Sequence, residues 1–481
     1  MKTNDNLVLL ADAYKYSHHK LYYPGTNKIY SYFESRGGLF DRTVFFGLQY
    51  LLKRYLQDTV ITKEKIDEAS DLLPQVFGRS DVFDRSKFDY ILKKYGGRLP
   101  VRINAIPEGT VVPVQNVLMT IENTDPECFW LTNFLETLLV QVWYPCTVAS
   151  LSHGVRSLVE QYYEETASYS SMEGIDFVLN DFGFRGVSSV ESAGIGDAAH
   201  LLNFRGSDTI AGSVLARNYY NAQTMYGLSI PATEHSICTL LGEAGELEIF
   251  EHVLRTFPAG IVACVSDSYN IFRACSEYWG EKLKNLILAR EGTLVIRPDS
   301  GDPVFTLLRV FDILMEKFGF SINEKGYKVL PSQVRVIQGD GINFETIQSI
   351  YSALKVNGIS AENLVLGMGG ALLQKLDRDT QKFAFKCSYA EMNGRGIDVQ
   401  KHPIEMDHHG SIVRSFKQSK AGRLKLICTE QGYKTVKEKE SPEYKNELVT
   451  VFENGKILRE FDFEEIRSRV ALFKNEKFCV Q

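Results

Sequence analysis

The sequence predicts an α/β fold: repeated βα units that form a parallel barrel or an open parallel sheet, joined to an α+β part built by both termini. Between residues 175 and 370, seven apolar, strand-like stretches each run into a polar or glycine-rich tip. Most are separated by segments with helix-like apolar spacing, such as Glu246 to Phe257 and Phe305 to Phe318. The seven stretches are Phe177 to Arg185, Leu201 to Asp208, Leu228 to Ser236, Ile261 to Ser268, Leu294 to Ser300, Val334 to Asp340 and Leu364 to Gly370.

The tips combine both signs of charge with glycine. In parallel sheets and barrels, chemistry gathers at the carboxyl ends of strands, where the loops vary and the strands hold them in place. Arginines there can bind an anion, aspartates can bind hydroxyls, a metal or a cation, and glycines let backbone N–H groups approach a phosphate. Together they favour a sugar phosphate as substrate, although an ordinary cap or surface ion pair explains any single one equally well. The residues are Arg185, Arg205, Arg297, Asp181, Asp208, Asp267, Asp299, Asp340, Gly339, Gly369 and Gly370.

The chain is predicted to have three parts. Residues 1–145 mix helix and strand, residues 146–384 carry the βα units and the active site, and residues 385–481 complete the N-terminal sheet. Near the end of the first part, Thr132 to Val142 has the spacing of an apolar helix that ends near Pro145.

Local signals predict the last elements. Asn454-Gly455 lies between apolar stretches and predicts a hairpin, because both residues tolerate positive φ. Asp462, with Glu465 three positions on, predicts a capping box that opens the last helix. Residues 400–421 are polar and are expected to form an exposed loop.

Composition excludes several classes of protein. The net charge of −6 and pI near 5.9 argue against nucleic-acid binding, which needs a basic face. The eight cysteines include no CxxC pair, so we expect reduced thiols in a cytoplasmic protein rather than disulfides or a zinc site. The N-terminal apolar run is too short for a signal peptide, and no stretch is expected to be long enough to span a membrane.

Nine strings along nearly the whole chain resemble the nicotinamide phosphoribosyltransferases. Their number, order and spacing carry the resemblance. They are DxYKxSHxxxxYP (Asp12 to Pro24), SYFExR (Ser31 to Arg36), ENTDPECFWLTNFLET (Glu122 to Thr137), DFGFRGVSS (Asp181 to Ser189), PATEHS (Pro231 to Ser236), VSDSY (Val265 to Tyr269), IRPDSG (Ile296 to Gly301), VIQGDG (Val336 to Gly341) and LLQKLDRD (Leu372 to Asp379).

This resemblance implies the irregular parallel β/α barrel of the type II phosphoribosyltransferases. It also implies a reaction: nicotinamide and phosphoribosyl pyrophosphate give nicotinamide mononucleotide and pyrophosphate, in NAD salvage. The family uses Mg²⁺, couples the reaction to ATP hydrolysis, and works as a homodimer with shared active sites.

The resemblance assigns the phosphates and the ribose to particular residues. The diphosphate is expected on Arg185 and Arg297, because arginine and Mg²⁺ stabilise negative charge that grows on a leaving group. The ribose hydroxyls are expected on Asp299, Gly339 and Asp340. The 5′-phosphate is expected on the backbone of Gly369 and Gly370, with Arg36, Arg378 and Lys386 reaching over from the partner subunit. Composition alone favours plain solvated charge for Arg378 and Lys386.

The pyridine ring is expected to lie between two aromatic walls. The resemblance implies Phe182 and, from the other subunit, Tyr14 as these walls, with Asp208 accepting a hydrogen bond from the carboxamide. A carboxylate at Asp208 favours a neutral amide over nicotinate, because two like charges repel. Without the resemblance, core packing is an equally ordinary role for Phe182.

His235 is the expected phosphate carrier. A lone histidine after an apolar strand is most often structural, yet this one lies beside Glu234, and Asp267 follows the next strand. A carboxylate on one ring nitrogen makes the other more nucleophilic. The resemblance implies that His235 is phosphorylated by ATP. Glu234, Asp267 and Asp299 are the other expected catalytic residues. The metal ligands stay undetermined; His402, His408 and His409 lack the accompanying carboxylates or thiols of a metal site.

Two other functions stay open, and the chain differs from the family's vertebrate members at two positions. A nicotinate-type phosphoribosyltransferase shares the barrel, and a non-catalytic signalling or binding role needs no chemistry. The family's vertebrate members carry histidine where this chain has Asn180 and serine where it has Ala384. Asparagine at the first position can form a hydrogen bond but offers no imidazole ring, and alanine at the second removes one possible phosphate donor.

Overall fold

A computed structural model describes residues 5–473 except for 402, 404, 407–411 and 414–418. The three histidines of the polar loop, His402, His408 and His409, lie outside the described residues. Most of the predicted loop 400–421 does so as well.

A parallel sheet holds six of the seven predicted stretches. Every pair of neighbouring strands in it is parallel. In spatial order the strands are Gly206–Ser207, Leu179–Asp181, Leu364–Met368, Val334–Gln338, Glu291–Arg297 and Ala259–Val265.

The seventh stretch joins the two edges of this sheet and closes it into an irregular barrel. Leu228 bridges Gly206 at one edge, and Ala232 bridges Ala263 at the other, both in parallel orientation. Pro231 lies between the two bridges and has no N–H to donate, so single bridges form there instead of a regular strand. The predicted barrel is confirmed, with this short segment as its weakest element.

Helices cover the outside of the barrel. The two predicted helical segments are confirmed as Glu246–Thr256 and Pro303–Phe318. The second begins with proline, and the carboxylate of Asp302 caps it by accepting the N–H of Phe305. The other α-helices are His18–Leu21, Leu48–Leu51, Lys63–Phe77, Arg85–Tyr95, Leu131–Phe134, Glu136–Leu139, Trp143–Thr166, Val190–His200, Ile210–Tyr220, His235–Cys238, Ile271–Arg273, Lys284–Leu288, Phe344–Val356, Gly370–Leu373 and Phe463–Ala471.

A second, antiparallel sheet takes strands from both ends of the chain, which confirms the predicted α+β part. Its spatial order is Arg395–Asp398, Phe383–Met392, Thr26–Ser35, Val117–Asn123, Val101–Ala105, Val449–Glu453 and Lys456–Ile457. Shorter pairs are Arg42–Val44 with Val111–Pro113, Ser321–Ile322 with Lys328–Val329, Glu405–Met406 with Ile412–Val413, and Leu424–Thr429 with Gly432–Lys437. The domain boundaries at 145 and 384 stay predictions.

The predicted hairpin forms, whereas two helix-end predictions are wrong. Asn454 and Gly455 turn the hairpin with φ of 51° and 82°. The helical run over Leu131–Phe134, Glu136–Leu139 and Val140–Val142 does not end near Pro145 but continues as Trp143–Thr166. Proline is tolerated there because it lies in a first turn, where N–H groups lack intrahelical partners. Asp462 does occupy the cap of the last helix, but its carboxylate accepts from Asn221 instead of forming a capping box.

One run is long and apolar enough to cross a membrane by length and composition, against the expectation from the sequence. It spans Pro126–Thr166, and 67% of its most apolar window is buried inside the fold. Such burial is typical of a core helix, and this run packs between the antiparallel sheet and the barrel.

Candidate active site

A cavity of about 910 Å³ opens at the carboxyl ends of the barrel strands. Parallel strands present their ends at one edge, so residues that are far apart in sequence meet there. Ten of the predicted site residues line this cavity. They are Phe182, Arg185, Asp208, Glu234, His235, Arg297, Asp299, Gly339, Asp340 and Gly369.

Phe182 forms one wall of the cavity. It directly follows the strand Leu179–Asp181, and its N–H donates to the carbonyl of Met368 on the neighbouring strand at 3.1 Å. A Cβ atom added at Gly367 would lie only 2.0 Å from the Phe182 ring, so this glycine makes room for the wall. Gly367 was missed in the sequence, although a glycine inside a strand signals a close approach.

Arg297 and Asp208 line the cavity together with this ring. The Arg297 guanidinium is 5.4 Å from the ring centroid of Phe182 and donates to Oδ1 of Asp299 at 2.8 Å. Asp208 lines the same cavity, and the hydroxyl of Ser229 donates to its carboxylate. We call the space bounded by Phe182, Asp208 and Arg297 the acceptor slot.

Below the acceptor slot the barrel interior is apolar. A second cavity of about 400 Å³ shares Phe182, Asp208 and Arg297 with the first. Asn180 lines it and donates its side-chain amide to the carbonyls of Phe177 and Leu366, both at 3.2 Å. Asn180, which stands where the family's vertebrate members have histidine, therefore links neighbouring segments and faces the barrel interior.

His235 and Asp267 lie in direct contact. Nε2 of His235 is 3.1 Å from Oδ1 of Asp267, and Oδ2 of Asp267 accepts the N–H of Asp299 at 3.0 Å. The histidine side chain is 49% exposed, whereas that of Asp267 is 3% exposed. The carboxylate of Glu234 bonds the hydroxyl of Ser236, so Asp267 is the carboxylate that holds the histidine ring.

Three glycines lie close to the expected phosphate position. Gly369 precedes the short helix Gly370–Leu373, and a Cβ atom at Gly370 would meet open space. At Gly339 a Cβ atom would lie 3.3 Å from the Arg297 side chain. Backbone N–H groups at this edge can therefore approach an anion closely.

The remaining four predicted residues lie on the antiparallel sheet side, away from this cavity. Arg36, Arg378 and Lys386 form a basic cluster: burial lowers the pKa of Lys386, Glu136 opposes that shift, and the charges of Arg36 and Arg378 add to it. Tyr14 is 58% exposed, and its ring meets that of His18 edge-on with the centroids 5.1 Å apart. Ala384 pairs with Glu34 within the sheet and offers no side-chain donor. In a single chain, then, the structure separates these four residues from the other twelve.

Comparison with known proteins decides the family. A family model described as "Nicotinate phosphoribosyltransferase (NAPRTase) family" matches residues 177–456, which is more than half of the chain. The chain belongs to the nicotinate phosphoribosyltransferase family. It is therefore a phosphoribosyltransferase enzyme, and the cavity at the barrel mouth lies within the matched region. A second model, described as "Nicotinamide phosphoribosyltransferase, N-terminal domain", matches residues 6–103.

Two curated relatives within this family match nearly end to end. A protein of Xanthomonas campestris pv. campestris named nicotinamide phosphoribosyltransferase is 47% identical over 474 residues, covering 96% of this chain and 98% of its own. A protein of Acinetobacter baylyi with the same name is 32% identical, covering 96% of both chains.

Solved structures support the family's fold. A nicotinate-nucleotide pyrophosphorylase of Pyrococcus furiosus superposes with a TM-score of 0.59 at 15% identity, over 99% of this chain and 98% of the other. Human nicotinic acid phosphoribosyltransferase superposes with a TM-score of 0.55 at 16% identity, over 96% and 93%. At such identities the likeness concerns the arrangement of helices and strands alone.

Proposed function

We propose that this enzyme transfers phosphoribose from phosphoribosyl pyrophosphate to nicotinamide, giving nicotinamide mononucleotide and pyrophosphate, and that ATP stimulates the reaction through phosphorylated His235. The observation that carries the choice of acceptor is the Asp208 carboxylate in the acceptor slot. The near end-to-end relatives named for nicotinamide support the same choice. The family's description favours nicotinate as the alternative, which Asp208 would repel.

The acceptor slot suits a flat, neutral amide. The ring would stack on Phe182, with a stabilisation of roughly 0.5–1.5 kcal/mol beyond burial. The carboxamide NH₂ would donate to Asp208, whose other hydrogen-bond partner is Ser229. Stacking and this bond together turn the ring nitrogen toward C1 of the ribose, and holding the reactants in line lowers the entropic part of the barrier.

The leaving pyrophosphate would meet positive charge. Arg185 and Arg297 line the cavity, and Arg297 donates to Asp299. The donor set fits Mg²⁺, which binds through one or two carboxylates together with substrate phosphates, and Asp299 and Asp340 are the carboxylates in place. Among the residues that the structure describes, no group of three or more histidine, cysteine or acidic side chains forms a metal cage. When bound, Mg²⁺ stabilises the negative charge that develops on the diphosphate.

ATP coupling would run through Nδ1 of His235. Asp267 occupies Nε2, so the lone pair of Nδ1 is the one that can attack. Attack forms an N–P bond to the γ-phosphorus while the bond from that phosphorus to the bridging oxygen breaks, and ADP leaves with the electron pair. Asp267 keeps the Nε2 proton in place and stabilises the positive ring.

Residues of a second subunit would complete the acceptor slot. Tyr14 is exposed, and Arg36, Arg378 and Lys386 do not line the cavity of their own chain, as expected if a homodimer places them over the partner's barrel mouth. A cytoplasmic location is part of the same proposal, supported by free cysteines, five of which are buried.

A single assay tests the proposal. The purified protein is given phosphoribosyl pyrophosphate with nicotinamide or nicotinate, each with and without ATP. We expect nicotinamide mononucleotide as the main product, formed faster with ATP. Preferential formation of the nicotinate nucleotide would overturn the choice of acceptor, and a rate indifferent to ATP would overturn the coupling.

A further inference from the structure

Two buried aspartates lie behind the acceptor slot and take no part in the chemistry described so far. Asp181 ends the strand Leu179–Asp181, and Asp197 lies in the helix Val190–His200. Both are 0% exposed. The Oδ2 atom of each is shielded from solvent and has no hydrogen-bond partner among the residues that the structure describes.

The other oxygen of each aspartate holds one side of the acceptor slot. Oδ1 of Asp181 accepts the N–H of Gly183, the residue after Phe182, at 2.7 Å. Oδ1 of Asp197 accepts the hydroxyl of Ser207 at 2.7 Å, and the oxygen of Ser207 accepts the N–H of Thr209 at 2.9 Å. Asp208 lies between Ser207 and Thr209. The two carboxyl groups thus fix the backbone beside Phe182 and on both sides of Asp208.

Each carboxyl group is a side-chain hydrogen-bond partner of the other, and among the residues that the structure describes no cation acts on either of them. The titratable groups that face the pair are Asp208, from the loop after Gly206–Ser207, and Tyr144, from the helix Trp143–Thr166. Burial, and then mutual repulsion, raises the pKa of Asp197 well above its ordinary value, and burial raises the pKa of Asp181. The Thr209 hydroxyl faces Asp181, but its oxygen has no hydrogen-bond partner of ordinary geometry among the described residues. One proton between the two Oδ2 atoms would satisfy both.

We propose that Asp181 and Asp197 share one proton at neutral pH and, as a hydrogen-bonded pair, position Phe182 and Asp208 for the acceptor. The acceptor part rests on the proposed function; the shared proton does not. The pair keeps one negative charge close to Asp208, which adds to the repulsion of an acceptor that carries its own carboxylate. Neither aspartate touches the substrate in this arrangement, so both are positioning residues.

The sign of the pH dependence follows from the shared proton. The protonated pair exists below its raised pKa and is lost as the pH rises through that value. Two adjacent buried negative charges then repel and move apart, which displaces the backbone at Gly183 and Ser207. We therefore expect KM for nicotinamide to rise on the alkaline side. In Asp197→Asn the amide donates permanently to Asp181, so this rise should be absent.

The test compares wild type, Asp197→Asn, Asp197→Ala and the control Asp312→Asn, which changes an exposed aspartate on the helix Pro303–Phe318. Infrared spectra in H₂O and D₂O at neutral pH detect the carbonyl band of a protonated carboxylic acid without any substrate. Because burial also raises the pKa of Glu108 and of Glu246 to about 7, the spectrum of Asp197→Asn is subtracted to remove their bands. We expect the remaining band in wild type and in Asp312→Asn. Thermal unfolding of each variant reports whether it folds.

Steady-state kinetics give the second readout. Asp197→Ala should raise KM for nicotinamide roughly tenfold to a hundredfold while KM for phosphoribosyl pyrophosphate is unchanged, and Asp197→Asn should restore the wild-type value at pH 7. A wild-type spectrum that shows no band beyond that of Asp197→Asn, or an Asn variant as defective as Ala, would overturn the proposal. Should Asp197→Ala not fold, the band and the alkaline KM profile of Asp197→Asn decide alone. If the protein does not use nicotinamide as acceptor but its spectrum shows the band of the pair, the proposed function is refuted and the shared proton is not.

Discussion

Nε2 of His235 lies 3.1 Å from Oδ1 of Asp267, and the second oxygen of Asp267 accepts the backbone N–H of Asp299. One nearly buried carboxylate thus joins the exposed histidine to the loop that carries Asp299 and Arg297. This contact fixes the tautomer of the ring, because Nε2 must carry the proton that it donates to Asp267. It also places the histidine and the expected diphosphate site at the same cavity mouth.

His235→Ala should abolish ATP hydrolysis and the ATP-dependent gain in nucleotide formation. Some uncoupled transfer should survive, because Phe182, Asp208 and the arginines are unchanged. Mass spectrometry of the intact protein after incubation with ATP should show an acid-labile phosphate on wild type but not on this variant. Asp267→Asn should label much more slowly, because a neutral amide stabilises the positive ring less.

His252→Ala is the matched control, since this histidine is exposed on the helix Glu246–Thr256. It should label like wild type. An undiminished phosphate on His235→Ala would mean that another residue carries it.

Tyr14→Ala and Asp208→Ala should each be nearly inactive alone, yet regain activity when mixed and re-associated. If Tyr14 serves the partner's acceptor slot, one of the two sites in a mixed dimer contains neither change. Each variant re-associated with itself is the control. No recovery in proven mixed dimers would place Tyr14 outside the shared site.

Gly367→Ala should lower kcat/KM for the acceptor roughly a hundredfold, because the added methyl group displaces the Phe182 ring and a shift of about 1 Å in a reactant's position costs that much. KM for phosphoribosyl pyrophosphate should change little. Gly174→Ala is the control, since a Cβ atom there meets nothing within 4 Å. Equal kinetics for the two variants would show that the Phe182 wall does not position the acceptor.

Glu108 should make the fold less stable as the pH rises. It is 2% exposed, accepts the N–H groups of Gly47 and Gln49, and burial raises its pKa to about 7. The pKa of Glu108 is higher in the folded state than in the unfolded state. Its contribution to the free energy of unfolding is therefore fully present below about pH 4.5 and is lost as the pH rises through about 7, a loss of about 3 kcal/mol.

Urea unfolding at pH 5 and pH 8 measures this loss. Glu108→Gln should lose less stability than wild type between the two pH values. The exposed control Glu430→Gln should follow wild type. A Gln variant with the wild-type pH dependence would assign the change to other groups.

The sequence predicted the barrel well because apolar strands and polar tips recur in a fixed order. All seven stretches occupy the barrel, even Leu228 to Ser236, where Pro231 allows only single bridges. The predicted helix end near Pro145 is wrong because proline is tolerated in the first turn of a helix but breaks a helix interior. The sequence alone does not show in which of these two places Pro145 lies.

The candidate site was predictable where one residue carries the signal. His235, Asp208 and Arg297 each follow an apolar strand, so their meeting at one edge could be expected. Glu234 was expected to act on His235 because it is adjacent in sequence, but its carboxylate turns to Ser236. Asp197 was missed because its partners come from other segments, although a lone charge in the small, apolar helix AGIGDAAH was a usable signal.

The choice of nicotinamide over nicotinate is the central claim, and Asp208→Asn tests it most directly. The substitution removes the repulsion of nicotinate and also weakens a charge-assisted hydrogen bond to nicotinamide, worth about 1.5–3 kcal/mol. The measurement is kcat/KM for both acceptors in wild type and variant. We predict that the value for nicotinamide falls roughly ten- to a hundredfold while that for nicotinate holds or rises. An unchanged preference ratio would contradict the claim and show that Asp208 does not select the acceptor.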